Sequence, residues 1–587
     1  MNYELNDDKN KKKVSTLTAA LKLWPLMRGE GKTLLFASVA TLANSLVNLI
    51  APLLIAHVVD TYIVSKQFSG VVTFSVILLA LYITGFGTSY LQTRLMGGVG
   101  QRVLFKLRTN IFAKLQELPV AFFNSNKAGD LISRINNDTD KLNQFFSQTL
   151  VQFIGSIVIM IGAGIFLVSL NWELGLAALA PAALLLVFTQ LISPWVKRKN
   201  AESLKSTGGL SAEIQESLNN FKVVVAFNRR DFFRTRFDTA NNANYKAAIG
   251  AGIANQTFTP VFGLSSNVAN LITLAFGVYL ISQGSFTIGL LIGFLSYVTN
   301  FYNPLRQLAA LWVNFQVALA GWDRISAILS MQNNMVIEKD GNTEGETSTS
   351  LLEFRNVSFE YSSGKKVLHD INFALEPGKT YALVGPTGGG KTTTASLMAR
   401  LYDPTSGTVF HRGKDIRTYT HAERTRKIGF ILQEPILFSG TVRENILYGN
   451  AQYAGFSNEK LEKVIEDAGL QTLLTRFDGG LEAKVATTGD ALSLGQKQLI
   501  AFMRAVLRHP ELLILDEATA NIDTVTEQML EDILKHLPQS TTKVIIAHRL
   551  NTIENADEIF FINAGEIVRA GSMEHAVDML LHDKRTS

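Results

Sequence analysis

At 587 residues the chain has room for several domains. An apolar share of 47% against 18% charged residues is high for a soluble protein, and the lack of any cysteine excludes disulfides, Cys-ligated zinc and thiol catalysis. The net charge of +5 is mild and does not gather into the basic face of a nucleic-acid binder, so no nucleic-acid partner is expected.

The first sixteen residues, with KNKKK, read as a solvated tail. Residues 17–29, LTAALKLWPLMRG, read as a segment lying along the cytoplasmic membrane interface with Trp24 as its anchor. No secretory signal is expected, because the opening is polar and the first long apolar run begins beyond Lys32. Six runs then follow, at 33–56, 71–92, 148–168, 174–193, 257–280 and 286–305, and none contains Asp, Glu, Lys or Arg. A bilayer core needs about 20 mainly apolar residues per helix, so six transmembrane helices are expected.

The intervening loops set the orientation. Residues 94–141 carry Arg94, Arg102, Lys106 and Arg108 among other cations, and residues 196–250 carry Lys197, Arg198, Lys199, Arg229 and Arg230 among theirs. The turns at 169–173 and 282–286 have no Lys or Arg, which places both basic loops, both termini and the second half in the cytoplasm. Amides recur at membrane depth, including Asn44, Asn48, Asn255, Asn270, Asn300 and Asn303. Each alone reads as an interhelical hydrogen bond; the set reads as an uncharged polar cavity wall.

A polar stretch without apolar periodicity, NNMVIEKDGNTEGETSTS (333–350), reads as a linker. The expected division is a tail and interfacial helix at 1–30, a membrane domain at 31–330, the linker at 331–350 and a soluble α/β domain at 351–587. In the last, TYALVGPTGGGKTTTASLMARL (380–401) gives a strand, a phosphate loop and a helix. Gly385, Gly388, Gly389 and Gly390 let the backbone wrap phosphates, Lys391 reaches the β- and γ-phosphates, and the Thr392 hydroxyl suits Mg²⁺. Pro386, Thr387 and Thr393 complete the loop's ATP-binding set.

A second strand, LLILDEAT (512–519), ends in Asp516, suited to the Mg²⁺ shell, and Glu517, suited to activating the attacking water. A third, VIIAH (544–548), brings His548 to the same edge. The strand VSFEY (357–361) places Tyr361 for stacking on an adenine, whereas Gln433 is unremarkable by chemistry alone. FFINAGEIVRAG (560–571) reads as a hairpin turning near Ala564-Gly565, with no chemistry assigned. Upstream, the turn Ser493-Leu494-Gly495-Gln496 opens a helix, a place where backbone N–H groups and the helix dipole favour an anion.

Six membrane runs with basic cytoplasmic loops, followed by GPTGGGKTT, LSLGQ, LLILDEAT and AHR, resemble an ABC exporter half-transporter of the type I (type IV) fold over residues 17 to 580. The resemblance implies a six-helix transmembrane domain fused to an α/β P-loop nucleotide-binding domain, with ATP and Mg²⁺ as cofactors. It implies a dimer in which Ser493, Leu494, Gly495 and Gln496 face the ATP held by the other subunit. Gln433 becomes a Mg²⁺ ligand and a catalytic-site residue beside Glu517 and His548, Tyr361 the adenine platform, and Asp523 the aspartate of a loop crossing the dimer interface. The stretches near 114–126 and 213–225 resemble coupling helices.

Leu494 departs from the family's usual glycine, as does ANID (520–523) from the commoner SALD. Both lean toward a heterodimer whose partner is a second half-transporter, with a homodimer as the alternative. The implied activity is ATP-driven export or flipping of a lipophilic or amphipathic small molecule, lipid or apolar peptide across a bacterial cytoplasmic (inner) membrane. Siderophore import on the same fold, or a membrane ATPase that senses rather than transports, are the alternatives.

Overall fold

The computed structural model describes residues 3–5, 23–338, 349–361, 364–486, 492–516, 524–546, 555–571 and 574–575. In lipid every backbone polar group must be satisfied within the chain, and the long apolar runs accordingly fold as helices. Among the described residues, five helical stretches are long and apolar enough to cross a membrane: Gly31–Ile63, Phe68–Glu117, Ala128–Leu170, Trp172–Asn219 and Arg230–Ser282. Of the six runs expected, the last also becomes one helix, Ile288–Leu329, but falls outside that apolar set; Asn300 and Asn303 interrupt its greasy stretch.

The helices in order are α1 (Gly31–Val58), α2 (Phe68–Glu117), α3 (Val120–Ser125), α4 (Ala128–Ser133), α5 (Thr139–Gln144), α6 (Leu150–Leu170), α7 (Trp172–Asn219), α8 (Phe221–Ala226), α9 (Arg230–Gln256), α10 (Phe258–Ser282) and α11 (Ile288–Leu329). The basic stretches expected as loops are mostly helical instead. The 50 residues of α2 extend about 75 Å at the α-helical rise, far more than a bilayer is thick. Residues 17–22 of the expected interfacial segment lie outside the described residues; its remainder holds a short 3₁₀ helix, Trp24–Met27.

Contacts divide the chain into two compact units. One comprises Asn6–Leu115 and Gly129–Ser330; the other comprises Met1–Leu5, Gln116–Ala128 and Met331–Ser587. In the first, Tyr297 of α11 donates to the Leu49 carbonyl of α1 at 2.5 Å, and Tyr302 donates to the Ala178 carbonyl of α7 at 2.9 Å. Asn300 donates to the Asn48 carbonyl at 3.1 Å, and Asn200 and Asn255 exchange bonds at 2.9 and 3.0 Å. Several membrane amides are thus committed to joining helices, whereas the Asn270 side-chain oxygen is buried without a hydrogen-bond partner among the described residues. Beyond the apolar region, Arg236 of α9 is held by Glu213 at 2.8 Å and Glu216 at 3.2 Å on α7. Arg324 of α11 reaches the buried Asp138 at 3.3 Å.

Among the described residues, the second unit is built on two larger sheets and a small antiparallel pair of Gly440–Thr441 with Lys484–Val485. β1 (Leu352–Glu360), β2 (Lys366–Leu375), β4 (Ser406–His411) and β5 (Lys414–Asp415) form an antiparallel sheet in the order β2-β1-β4-β5. The other holds β3 (Thr380–Val384), β6 (Ile428–Ile431), β7 (Leu512–Asp516), β8 (Thr542–Ile546), β9 (Glu558–Asn563) and β10 (Glu566–Arg569), in the order β10-β9-β3-β8-β7-β6. Its strands run parallel except the edge strand β10, so β3, β7 and β8 all deliver their C-terminal ends to one side. Helix α12 (Lys391–Met398) follows β3, and α13 (Leu494–Val506) packs Leu499, Phe502 and Met503 into a core with Ile446, Leu461 and Ile465.

Two outlying pieces belong to this unit. The Leu5 N–H donates to the Asn126 side-chain oxygen at 3.0 Å, and the Asn126 amide donates back to the Tyr3 carbonyl at 2.8 Å. Tyr3 also meets Asn334, whose backbone N–H donates to the Tyr3 hydroxyl at 3.2 Å. Residues 3–5 are therefore strapped both to the turn after α3 and to the start of the linker.

Candidate functional site

The turn from β3 into α12 needs backbone conformations that side chains resist. Gly385 has φ +143° and Gly390 φ +117°. A Cβ on Gly385 would lie 2.0 Å from the Ile562 carbonyl oxygen, and one on Gly390 2.7 Å from Leu368 Cδ2. The wall these glycines pass so closely is β2 and the β9–β10 hairpin. That hairpin turns at Ala564-Gly565 as expected, both with positive φ, and the Gly565 N–H donates to the Gly389 carbonyl at 3.1 Å. The hairpin therefore braces the phosphate loop, a role that its sequence alone does not announce.

Inside the loop, the Lys391 ammonium donates to the carbonyls of Gly385 at 2.8 Å and Pro386 at 3.0 Å and is almost fully buried. The Thr392 hydroxyl faces Asp516 Oδ1 at 3.4 Å, and Asp516 is also buried. Strand register explains the meeting: Ile546 of β8 pairs with Leu383 on one side and Asp516 on the other, so the three strand ends lie level. Glu517, His548 and Asp523 lie outside the described residues, although the strands leading to Glu517 and His548 end at this edge.

Tyr361, just past β1, is partly exposed, and its hydroxyl lies 3.1 Å from Thr393 Oγ1. Its ring stands edge-on to Phe359 at 4.8 Å and to Tyr402 at 5.5 Å between centroids. Tyr402 was not singled out from sequence. Burial pushes its phenol above the ordinary value, and the hydrogen bond from Asn124 acts in the opposite direction.

Gln433 is exposed, and its backbone carbonyl accepts from the Gln498 side chain of α13 at 3.3 Å. Ser493 is the N-cap of α13 and closes a capping box with Gln496, whose amide also donates to the Arg476 carbonyl at 2.9 Å. Gly495 is buried, and Leu494 is 39% exposed. Its side chain is thus turned outward at the first helical position and fills no core. Gly388, Gly389, Pro386 and Thr387 lie in the loop between β3 and α12 with the residues above.

Residues 34–305 match the ABC transporter transmembrane region, and residues 368–520 match the ABC transporter domain. The chain is 32% identical over 556 residues to an uncharacterized ABC transporter ATP-binding protein, YfiC, of Bacillus subtilis (strain 168), covering 95% of this chain and 91% of that one. The chain belongs to the ABC transporter family. Other relatives of this ABC transporter include a multidrug resistance ABC transporter ATP-binding and permease protein of Lactococcus lactis subsp. cremoris, 32% identical with 85% and 84% coverage. A fatty acid ABC transporter ATP-binding/permease protein of Mycobacterium tuberculosis is 33% identical, with 84% and 77% coverage. Among solved structures, a bacterial Atm1-family ABC exporter with ATP bound aligns with a TM-score of 0.77 at 25% identity, over 95% of this chain and 97% of that one. This ABC transporter is a multi-pass membrane protein of exporter architecture that binds ATP and hydrolyses it to drive transport.

Proposed function

We propose that this chain exports a lipophilic or amphipathic compound of low fixed charge across a bacterial cytoplasmic membrane, as one half of a dimer. The observation that carries the reading is the meeting of the Lys391 loop, Thr392 and Asp516 at one sheet edge, on a chain whose long helices contain apolar stretches long enough to cross a membrane. In this reading Ile288–Leu329 is a sixth span, the ATP-binding half is cytoplasmic, and the amides of α1, α10 and α11 line part of the path. The multidrug and fatty acid cargoes named for two relatives fit that chemical class.

Gly385 to Thr393 wrap the phosphates, Lys391 exchanging loop carbonyls for phosphate oxygens, while Tyr361 stacks on the base. A hydroxyl and a carboxylate oxygen 3.4 Å apart are hard oxygen donors too distant for a strong mutual bond, which fits Mg²⁺ held by Thr392 and Asp516 with Gln433. The ion would supply charge neutralisation across the phosphates. Glu517 orients and deprotonates the attacking water, and His548 contacts the terminal phosphate. Ser493 to Gln496 complete the partner's site and Asp523 crosses between subunits; the outward Leu494 favours a partner with a different signature, hence a heterodimer.

The test is movement. In sealed vesicles with outward-facing ATP sites, a fluorescent fatty acid and a lipophilic dye, assayed separately, should be transported with Mg²⁺-ATP. The variant Glu517→Gln should bind ATP yet transport neither. ATP turnover that persists in Glu517→Gln removes Glu517 from its role, and turnover without movement of either probe turns the reading toward a sensor.

A further inference from the structure

Helix α11 carries a lone charge along most of its length. From Ile288 to Trp322 it holds no Asp, Glu, Lys, Arg or His other than Arg306. At the α-helical rise Arg306 lies about 27 Å along the axis from Ile288, near the inner limit of a hydrocarbon core of about 30 Å. An ionised side chain at such depth is costly, and it is retained where it faces a polar path or a partner.

The rotation of α11 is fixed by its packing. Phe294, Tyr297, Val298 and Tyr302 are buried, and the two tyrosine hydroxyls donate to backbone carbonyls of α1 and α7. The Ser156 hydroxyl of α6 donates to the Gln307 side-chain oxygen at 3.4 Å. Thr299, Asn303, Arg306 and Ala310, spaced three or four positions apart, therefore lie together on the exposed face. The exposed face of α2 in its membrane run is greasy by contrast, with Val76, Leu79, Ile83 and Phe86. A face made of a hydroxyl, an amide and a guanidinium is not one that acyl chains cover.

Arg306 and Asn303 stand one turn apart, and neither side chain makes a hydrogen bond or ion pair among the described residues. The next cation on this helix, Arg324, is instead held by Asp130 and Asp138. A guanidinium stays charged at any working pH, and its paired N–H donors match the oxygens of a carboxylate or a phosphate. We propose that Arg306, with Asn303, binds the single anionic head of an amphiphilic cargo and so makes the transporter selective for monoanionic amphiphiles. The proposal rests on the reading of this chain as an exporter of amphipathic compounds and narrows their class. In the orientation of that reading, Arg306 lies at the level of the head groups of the cytoplasmic leaflet, from which such a compound would enter. Carboxylate and phosphodiester heads share the chemistry that the guanidinium recognises, and the test separates them.

Full-length protein in phosphatidylcholine discs is titrated with a dansyl-labelled fatty acid at mildly alkaline pH, which keeps the acid ionised, with empty discs as the blank. Unlabelled dodecanoate, dodecyl methyl phosphate and methyl dodecanoate then compete for the probe. In the wild type at least one of the two anions should displace it about tenfold better than the uncharged ester, and whichever does so identifies the head group. Arg306→Gln should abolish that preference while leaving ester binding and the melting temperature unchanged. Arg306→Lys should restore part of it, and Asn303→Ala should weaken the anion less than Arg306→Gln does. No binding of the probe, equal displacement by ester and anions in the wild type, or a preference that survives Arg306→Gln would each overturn the proposal. So would an equal loss for ester and anions in Arg306→Gln, which marks a structural role. The underlying export reading fails by a different result: ATP is hydrolysed, yet no probe, charged or uncharged, moves in sealed vesicles.

Discussion

The Ser493 hydroxyl accepts from the Gln496 backbone N–H at 3.2 Å, while the Gln496 side-chain oxygen accepts from the Ser493 N–H at 3.0 Å. This reciprocal pair occupies two of the donors at the start of α13 and leaves the amides of Leu494 and Gly495, at the first two helical positions, aimed along the axis. An anion at that end would be held by backbone, and the residue type at 494 would act only through what its side chain places on the outer surface. Leu494→Gly should therefore leave the helix start intact and increase steady ATPase activity of the dimer. If ATPase in lipid discs is unchanged, the leucine does not impede the second site.

Tyr361 makes two separable contributions. Tyr361→Ala should remove the proposed stacking surface, and base–aromatic stacking of about 1–3 kcal/mol corresponds to a rise in ATP Kd of about 5- to 150-fold. Tyr361→Phe keeps the ring and loses only the Thr393 contact, so its Kd should stay close to the wild type. TNP-ATP displacement distinguishes the two, and equal losses would show that the hydroxyl, not the ring, matters.

Two glycines of the phosphate loop differ in what surrounds them. Gly385→Ala meets both a φ of +143° and a backbone oxygen 2.0 Å from the new carbon, so ATP binding should be lost and the melting temperature should fall. Gly388→Ala, at φ +83°, meets no protein atom within 4 Å and should cost the fold only the strain of a left-handed residue, roughly 1 kcal/mol, so its melting temperature should fall less. Expression, melting temperature and ATP affinity of the two variants, measured together, check the contrast.

His411 should make the nucleotide-binding half sensitive to mild acid. Burial lowers its pKa from 6.5 to about 4, outweighing Glu511 at 3.8 Å, with Lys427 and Arg412 also lowering it. Because the folded value lies below the unfolded one, the unfolded chain takes up the proton first. Stability is then complete above pH 6.5 and declines as the pH falls toward 4, by about 3 kcal/mol in all. The melting temperature of the wild type should fall more between pH 7 and pH 5 than that of His411→Phe; parallel curves would exclude the imidazole as the cause.

Much of this molecule is written in local patterns. The glycines of the phosphate loop are legible because only glycine tolerates those φ values, and the helices because charge-free runs have few other ways to satisfy their backbone. Asp516 is legible because a buried carboxylate at a strand end needs a partner. Other relationships are non-local and carry no pattern. Asn124 and Tyr402 are separated by 278 positions, and nothing in either neighbourhood marks them as partners. Gly565 braces Gly389 only because β9 lies beside β3, a neighbour relation set by sheet order. The basic stretches between membrane runs were readable by charge but not by conformation, since a helix with a polar surface leaves little apolar periodicity once it emerges from the bilayer.

The strap formed by residues 3–5 has a practical use. The chain contains no cysteine, so a single one introduced at Glu4 would be its sole thiol, on an exposed side chain between two anchored neighbours. A maleimide fluorophore placed there would be tethered at the turn after α3 and near the linker, close to the wall of a cavity that Tyr361 also lines. Residue 4 is thus a mounting point for an optical reporter of the Tyr361 cavity, with no background labelling to subtract.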